Sequence, residues 1–186
     1  MRSLGFCTLG MLVTFGVSAQ QTGIPASDTL GADDLAGNPT FIGGVANGGS
    51  TAHAVWWPSS VALDKVNNRL FIEQHGNSRY DIYQLDDNGL PRRRHADQGI
   101  GRSLIGKGFS FAPMNTTALT NPGGGSFDSV HQRMFLSDDL SLGPPAARIL
   151  VFDLSPETLS FLGRNELPEA IVVLGQPDFD TYEPGS

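Results

Sequence analysis

The stretch that decides the fold reads PSSVALDKVNNRLFI at residues 58–72, and a similar stretch, PGGGSFDSVHQRMFL, follows at residues 122–136. In each copy a polar turn that begins with Asp64 or Asp128 separates two short runs that favour β structure. Short runs of this kind on either side of a polar turn predict the two strands of a β-hairpin. Because the pattern returns after 64 residues, the chain is predicted to contain two copies of one β unit.

The similarity extends on both sides of these hairpins. Residues 32–71 align without a gap with residues 96–135. After five additional residues in the second copy, RYDIYQL at 79–85 aligns with RILVFDL at 148–154. A third copy is predicted to begin at Ala170.

The composition agrees with a folded chain that is rich in turns. Of 186 residues, 39% are hydrophobic and 17% are charged, and there are 23 Gly and 12 Pro. This content of apolar residues argues against disorder, and the many Gly and Pro residues argue against a helical bundle. Residues 20–186 show no sustained apolar period of 3.6 residues, so the predicted fold class is all-β. The net charge of −7 makes nucleic acid and anionic membranes poor partners.

Residues 1–19 are typical of a secretory signal peptide. Arg2 provides the positive charge, an apolar run follows, and VSA at 17–19 supplies the small residues that precede a cleavage site. Cleavage after Ala19 predicts a secreted or periplasmic protein. The single cysteine, Cys7, lies in the segment to be removed, so the remaining chain is predicted to fold without a disulfide.

These motifs resemble the NHL-repeat β-propeller proteins that bacteria export. The family pattern Leu-Gly-Gln-Pro-Asp-Phe is present as LGQPDF at 174–179, and the Pro-x-x-Val-Ala-x-Asp pattern as PSSVALD at 58–64. GNSR at 76–79 corresponds to the family's Gly-Asn-Asn-Arg loop. The resemblance implies blades of antiparallel strands. A closed ring needs at least about four blades, so about two blades plus the start of a third predict an incomplete ring. The chain is therefore expected to be the N-terminal piece of a longer propeller, which carries the remaining blades, or a truncated reading frame. The units are a signal peptide (1–19), a linker (20–31), blade 1 (32–95), blade 2 (96–169) and the start of blade 3 (170–186).

The resemblance also implies a function. It favours a non-catalytic binding or scaffold module for protein or carbohydrate ligands, and no catalytic residue is predicted. The alternative is a metal-dependent propeller enzyme of the lyase or lactone-hydrolase kind, whose site needs further blades.

Candidate metal ligands are few, and no cofactor is predicted. His75 lies in a loop where related enzymes place histidines near a central channel, and Asp138 with Asp139 offers carboxylate oxygens. Calcium or zinc is the metal that such residues suit. The interpretation that these residues favour over metal binding is an ordinary loop histidine and two solvated turn carboxylates.

The residues that recur at equivalent positions are predicted to have structural roles. Trp56 and Trp57 are predicted to pack between blades, with stacking on a sugar or peptide as the alternative. The basic cluster PRRRH at 91–95 is predicted to be an exposed linker between blades, with nucleic-acid binding as the alternative. The eight recurring residues are Pro58, Asp64, Arg69, Arg79, Pro122, Asp128, Arg133 and Arg148.

Overall fold

The computed structural model describes residues 30–31, 55–104, 113–138, 147–163 and 165–183. Within these ranges the backbone forms two four-stranded antiparallel sheets with little helix, which confirms the all-β prediction. Sheet 1 contains its strands in chain order, and a 3₁₀ turn, His75–Asn77, joins its second and third strands. The strands of sheet 1 are β1 (Pro58–Asp64), β2 (Arg69–Gln74), β3 (Arg79–Gln84) and β4 (Gln98–Ile100).

Sheet 2 has the same strand order as sheet 1. Its strands are β5 (Pro122–Asp128), β6 (Arg133–Asp138), β7 (Arg148–Asp153) and β8 (Ala170–Leu174).

A short helix, α1 (Pro156–Ser160), lies between β7 and β8. The sequence pattern Ser-Pro-Glu at 155–157 predicts a turn here, and that prediction is wrong. The Ser155 hydroxyl accepts a hydrogen bond from the Thr158 amide at 3.3 Å, and proline occupies the first turn. Serine followed by proline starts helices as readily as turns, because the proline ring has the φ angle of both.

The hairpin turns of the two sheets are built alike. Asp64 accepts hydrogen bonds from the backbone amides two and three residues further on, at 3.0 and 3.2 Å. Asp128 accepts the same pair at 2.9 and 3.2 Å. The last turn residue has a positive φ in both, 51° at Asn68 and 56° at Gln132. An aspartate that closes its own turn in this way favours the hairpin over other local structures.

Replacing Asp64 with asparagine is expected to lower the free energy of unfolding by about 2–3 kcal/mol at neutral pH. Burial alone would raise the pKa of Asp64, but hydrogen bonds from Asn67 and Arg69 and the charge of Arg69 hold that pKa below its usual value. A pKa lowered by folding stabilises the protein above about pH 4, and this stabilisation is lost as the pH falls through the folded-state pKa. Urea unfolding of both proteins between about pH 7 and pH 2 measures the effect.

The difference between the two proteins is therefore expected to shrink as the solution becomes acidic. Because the measurement is a difference, the titration of other carboxylates cancels. Asp87→Asn, on an exposed turn, is the control and should change the free energy of unfolding by less than about 0.5 kcal/mol. A difference for Asp64→Asn that stays constant over the whole pH range would contradict the role of the carboxylate charge.

One face of sheet 1 packs against one face of sheet 2 to form the main core. The rings of Phe71 and Phe127 meet with their centroids 4.9 Å apart. Gly125 leaves room for the Tyr80 hydroxyl, since a Cβ at this glycine would lie 2.8 Å from that oxygen. Other buried members of this core are Ile82, Ile100, Leu119, Met134, Leu136, Leu150, Phe152 and Leu154.

The two sheets use non-equivalent faces at this contact. Phe71 points into it from sheet 1, whereas its equivalent in sheet 2, Phe135, pairs across the ladder with Ser126 and Val151 on the opposite face. The residue that sheet 2 does present, Phe127, is equivalent to Leu63 on the outer face of sheet 1. The sheets therefore pack head to tail. The exposed outer face of sheet 2 is equivalent to the face of sheet 1 that is buried against sheet 2.

Arg69 connects the sheets at the edge of this contact. Its guanidinium donates to the Leu154 carbonyl at 2.6 Å and to the Gln132 amide oxygen at 2.7 Å. It also lies over the Phe127 ring, 5.8 Å from the centroid. The equivalent residue in sheet 2, Arg133, is exposed on the outer face.

Both outer faces expose aliphatic side chains. Val61 and Leu63 of sheet 1 are 69% and 46% exposed, and Ile149, Val172 and Leu174 of sheet 2 are 40%, 41% and 45% exposed. The eight described strands form two separate open sheets.

Gly31 makes, before sheet 1, the same backbone contact that Gly101 makes before sheet 2. It has a φ of 70°, and its carbonyl accepts the amide of Val55 at 3.2 Å. Gly101, just after β4, has a φ of 83°, and its carbonyl accepts the amide of Leu119, also at 3.2 Å. Gly31 is thus the spatial equivalent of Gly101. The ungapped alignment instead pairs Gly101 with Gly37, which lies outside the described residues.

The fourth strand of each sheet lies in the next sequence unit. β4 follows the predicted end of unit 32–95, and β8 follows the predicted end of unit 96–169. The fourth strand of each sheet is therefore supplied by the next sequence unit.

Candidate functional site

A buried arginine–aspartate pair organises the start of β3. Arg79 is completely buried, and its Nε donates to Asp81 at 2.8 Å. The same guanidinium donates to the carbonyls of Ser103 and Leu104 at 3.3 and 2.9 Å, and the Gln74 amide donates to the second oxygen of Asp81. Burial raises the pKa of Asp81 to about 6, although the charge and hydrogen bond of Arg79 oppose the rise.

Sheet 2 has a similar pair at the start of β7. Arg148 donates to Asp138 from both Nε and one terminal nitrogen, each at 3.1 Å. Its remaining donors bind the carbonyls of Asn115, Ala118 and Phe179 at 3.2, 2.9 and 2.7 Å. The guanidinium thus holds two separate segments to the sheet, the one that precedes β5 and the one that follows β8.

The two pairs occupy equivalent places but carry the acid on different strands. Asp138 ends β6, and the matching residue at the end of β2 is Gln74; sheet 1 instead takes its carboxylate from Asp81 on β3. Each arginine also binds the segment that follows the fourth strand of its own sheet. The pairing of Arg79 with Asp81 could be predicted from the sequence, because residues two apart on a strand share a face.

Asp138 is fully buried at the end of β6, so the prediction of a solvated turn carboxylate is wrong for this residue, but it has little capacity left for a metal. Besides Arg148, it accepts the Thr120 amide at 2.7 Å, the Thr120 hydroxyl at 3.2 Å and the Asn121 amide at 3.0 Å. A cation here would have to displace these donors and sit beside a guanidinium. Asp139 lies outside the described residues. In the ranges that the structure describes, no group of three or more His, Cys, Asp or Glu residues is placed to hold a metal ion.

His75 lies at the rim of the contact between the sheets, where β1 and β5 begin. Its Nδ1 is 2.8 Å from the Pro122 carbonyl oxygen. The ring of Trp57 meets the imidazole edge to face, with centroids 5.1 Å apart and planes at 66°. His75 therefore links the two sheets and supports an aromatic side chain.

The prediction that both tryptophans pack in the core between blades is wrong, because Trp56 and Trp57 are both exposed, Trp57 to 58%. Trp57 has a φ of 54°, and the backbone turns here just before β1. Trp56 is 37% exposed and packs its indole over Gly76, where a Cβ would come within 2.8 Å of the ring. The tryptophans and His75 form a surface patch, which we call the Trp57 rim (Trp56, Trp57 and His75).

Glu73 is a buried carboxylate at the contact between the sheets. Its Oε2 accepts hydrogen bonds from the hydroxyls of Ser60 at 2.6 Å and Tyr80 at 3.1 Å. Its Oε1 has no hydrogen-bond partner among the described residues. Burial raises the pKa of Tyr80, and the nearby Glu73 charge raises it further. Sequence reasoning gives Glu73 no role at this contact, because a glutamate in a strand is usually exposed.

The basic cluster at 91–95 lies between the third and fourth strands of sheet 1, so the prediction that it connects two blades is wrong. Arg92 and Arg93 are exposed, and Arg93 is 3.9 Å from Asp97. No described helix has the length and apolar character needed to cross a membrane.

A cleft of about 430 Å³ opens on the outer face of sheet 2. Ile149 and Leu174, which pair across β7 and β8, form an apolar floor. Gly175 follows with a φ of 85°, as Gly101 does after β4. The remaining lining residues are Gly123, Ser137, Asp138, Ala147 and Arg148.

Comparison with known proteins does not assign the chain to a family. No protein-family model matches it, and no curated protein matches its sequence.

Proposed function

We propose that the chain contributes consecutive blades to an exported β-propeller of the NHL type, and that this propeller acts as a non-catalytic binding scaffold for carbohydrate or protein ligands. The observation that carries the proposal is the head-to-tail packing of sheets 1 and 2. Because two different faces form the contact, a third sheet can pack on sheet 2 in the same way as sheet 2 packs on sheet 1. Each added sheet then exposes a face on which the next sheet can pack. A ring of blades is one closed arrangement that such packing supports.

The strand arrangement also supports the blade assignment. The two sheets lie nearest one another along their first strands, β1 and β5. In a propeller the first strands are those that approach the central axis, and the sheets spread apart towards their last strands. The signal-like segment 1–19 supports export.

The Trp57 rim supports a binding role. An exposed indole held in place by a neighbouring imidazole offers a flat apolar surface on which a sugar ring or an extended peptide stacks. The side chain loses little conformational freedom on binding, because His75 already restrains it. The rim lies at the ends of strands, where scaffold proteins commonly bind ligands.

We expect Trp57→Ala to weaken binding at least about tenfold, since removing a central aromatic contact from a small site costs at least about 1.4 kcal/mol. The experiment expresses the full chain in a bacterium and purifies it from the periplasmic fraction. Arrays of glycans and of peptides are then screened, and calorimetry follows the hits. Recovery of a chain that starts at Gln20 tests the export part of the proposal in the same preparation.

Phe161→Ala is the matched control, because Phe161 is an aromatic residue 84% exposed and outside the rim. Binding that survives Trp57→Ala, or that falls equally in both variants, would reject the rim as the ligand site. If neither library contains a ligand, the binding function itself is rejected.

A further inference from the structure

We propose that the cleft on the outer face of sheet 2 is a docking site for an extended polypeptide segment of the form aliphatic-x-x-Pro. The aliphatic side chain lies against Leu174 and Gly175, and the segment continues past Ala147. The inference rests on the head-to-tail packing that also supports the proposed function, but it requires neither export nor a carbohydrate ligand.

The equivalent groove on sheet 1 is occupied by such a segment of the chain itself, Leu119-Thr120-Asn121-Pro122. Leu119 is fully buried and lies against Gly101, where a Cβ would come within 2.4 Å of its side chain. The Thr120 carbonyl accepts the Ser78 hydroxyl at 2.5 Å. The segment then enters β5 at Pro122. This groove shows what an occupant of the cleft looks like.

A second segment of the same form lies against Gly31. Val55 begins the sequence Val-Trp-Trp-Pro, which ends at Pro58, the first residue of β1. A Cβ at Gly31 would come within 2.1 Å of the Val55 side chain. Gly31 and Gly101, which have positive φ angles, thus each contact an aliphatic-x-x-Pro segment. Gly175 also has a positive φ and lines the cleft.

Two side chains that line the cleft, Ala147 and Ile149, favour an apolar contact. Ala147 stands where sheet 1 has Ser78, and Ile149 stands where sheet 1 has Tyr80. Two hydroxyl groups are therefore replaced by hydrocarbon. A sugar, which needs several hydrogen bonds for orientation, fits this floor less well than an aliphatic side chain followed by a proline.

The test uses a fluorescently labelled peptide with the sequence of residues 116–125, TTALTNPGGG, and the full chain. Anisotropy is followed up to about 1 mM protein, the weak limit for a small interface. We expect saturable binding that Leu174→Glu weakens at least about tenfold. Ile171→Glu is the matched control, because Ile171 is on the same strand, is 48% exposed against 45% for Leu174, and lies outside the cleft lining.

A change in the peptide tests the site without altering the fold of the protein. Replacing the peptide's leucine with serine should weaken binding as much as Leu174→Glu does. The proposal is overturned if the peptide does not bind, if Ile171→Glu loses as much affinity as Leu174→Glu, or if the serine peptide binds as well as the original peptide. A glycan that binds through Trp57 while the peptide fails would reject this inference and leave the proposed function standing.

Discussion

Replacing Arg148 with methionine is expected to lower the free energy of unfolding by about 3–5 kcal/mol, because it leaves the buried Asp138 carboxylate without its countercharge. The carbonyls of Asn115, Ala118 and Phe179 lose their donors in the same step. Methionine keeps most of the side-chain volume, so the loss reports on charge and hydrogen bonds rather than on a cavity. Urea unfolding followed by circular dichroism measures it.

Arg133→Met is the control, since Arg133 starts the neighbouring strand but is exposed. It should cost less than about 1 kcal/mol. The double variant Arg148→Met with Asp138→Asn should recover part of the loss, because the uncompensated charge is then gone. A cost for Arg148→Met that is no larger than that of Arg133→Met would show that the buried pair does not hold these segments together.

Gly101→Ala is expected to cost about 2–5 kcal/mol. The positive φ accounts for about 1–2 kcal/mol of this, and overpacking against Leu119 accounts for about 1–3 kcal/mol. The new Cβ would lie 2.4 Å from the Leu119 side chain, which is buried at the contact between the sheets. Thermal and urea unfolding measure the change.

Gly89→Ala separates the two contributions. Gly89 also has a positive φ, 78°, but nothing lies within 4 Å of the position of its Cβ. Its cost should therefore be about 1–2 kcal/mol, and the excess for Gly101→Ala measures the steric contact. Equal costs at the two glycines would mean that Leu119 moves aside freely and that the packing of the sheets does not depend on this contact.

Strand positions could be predicted from the sequence, because the signals for them are local. Asp64 and Asp128 close their own turns. The runs that follow Arg69 and Arg148 are rich in the apolar and β-branched residues that favour strands. Each of these features acts within a few residues, so reading along the chain is sufficient to find it.

The packing of the sheets could not be predicted, because both faces of the strands are apolar. Leu70 and Phe71 are adjacent and point to opposite faces, so periodicity does not distinguish the buried face from the outer one. The residue type of Trp57 predicts a place in the core, whereas the backbone just before β1 directs its side chain to the surface. The equivalence of Gly31 with Gly101 depends on a backbone hydrogen bond between residues far apart in sequence.

The offset between sequence units and sheets has a consequence for how such a chain grows. A duplication that copies one unit does not produce a complete sheet; it produces three strands and the closing strand of the sheet before it. Every inserted copy therefore contributes a strand to the preceding sheet and receives its own fourth strand from the copy that follows. The number of units can change, but no copy becomes an independent domain. Cleavage of the backbone between β3 and β4 would leave sheet 1 held to its own last strand by non-covalent bonds alone.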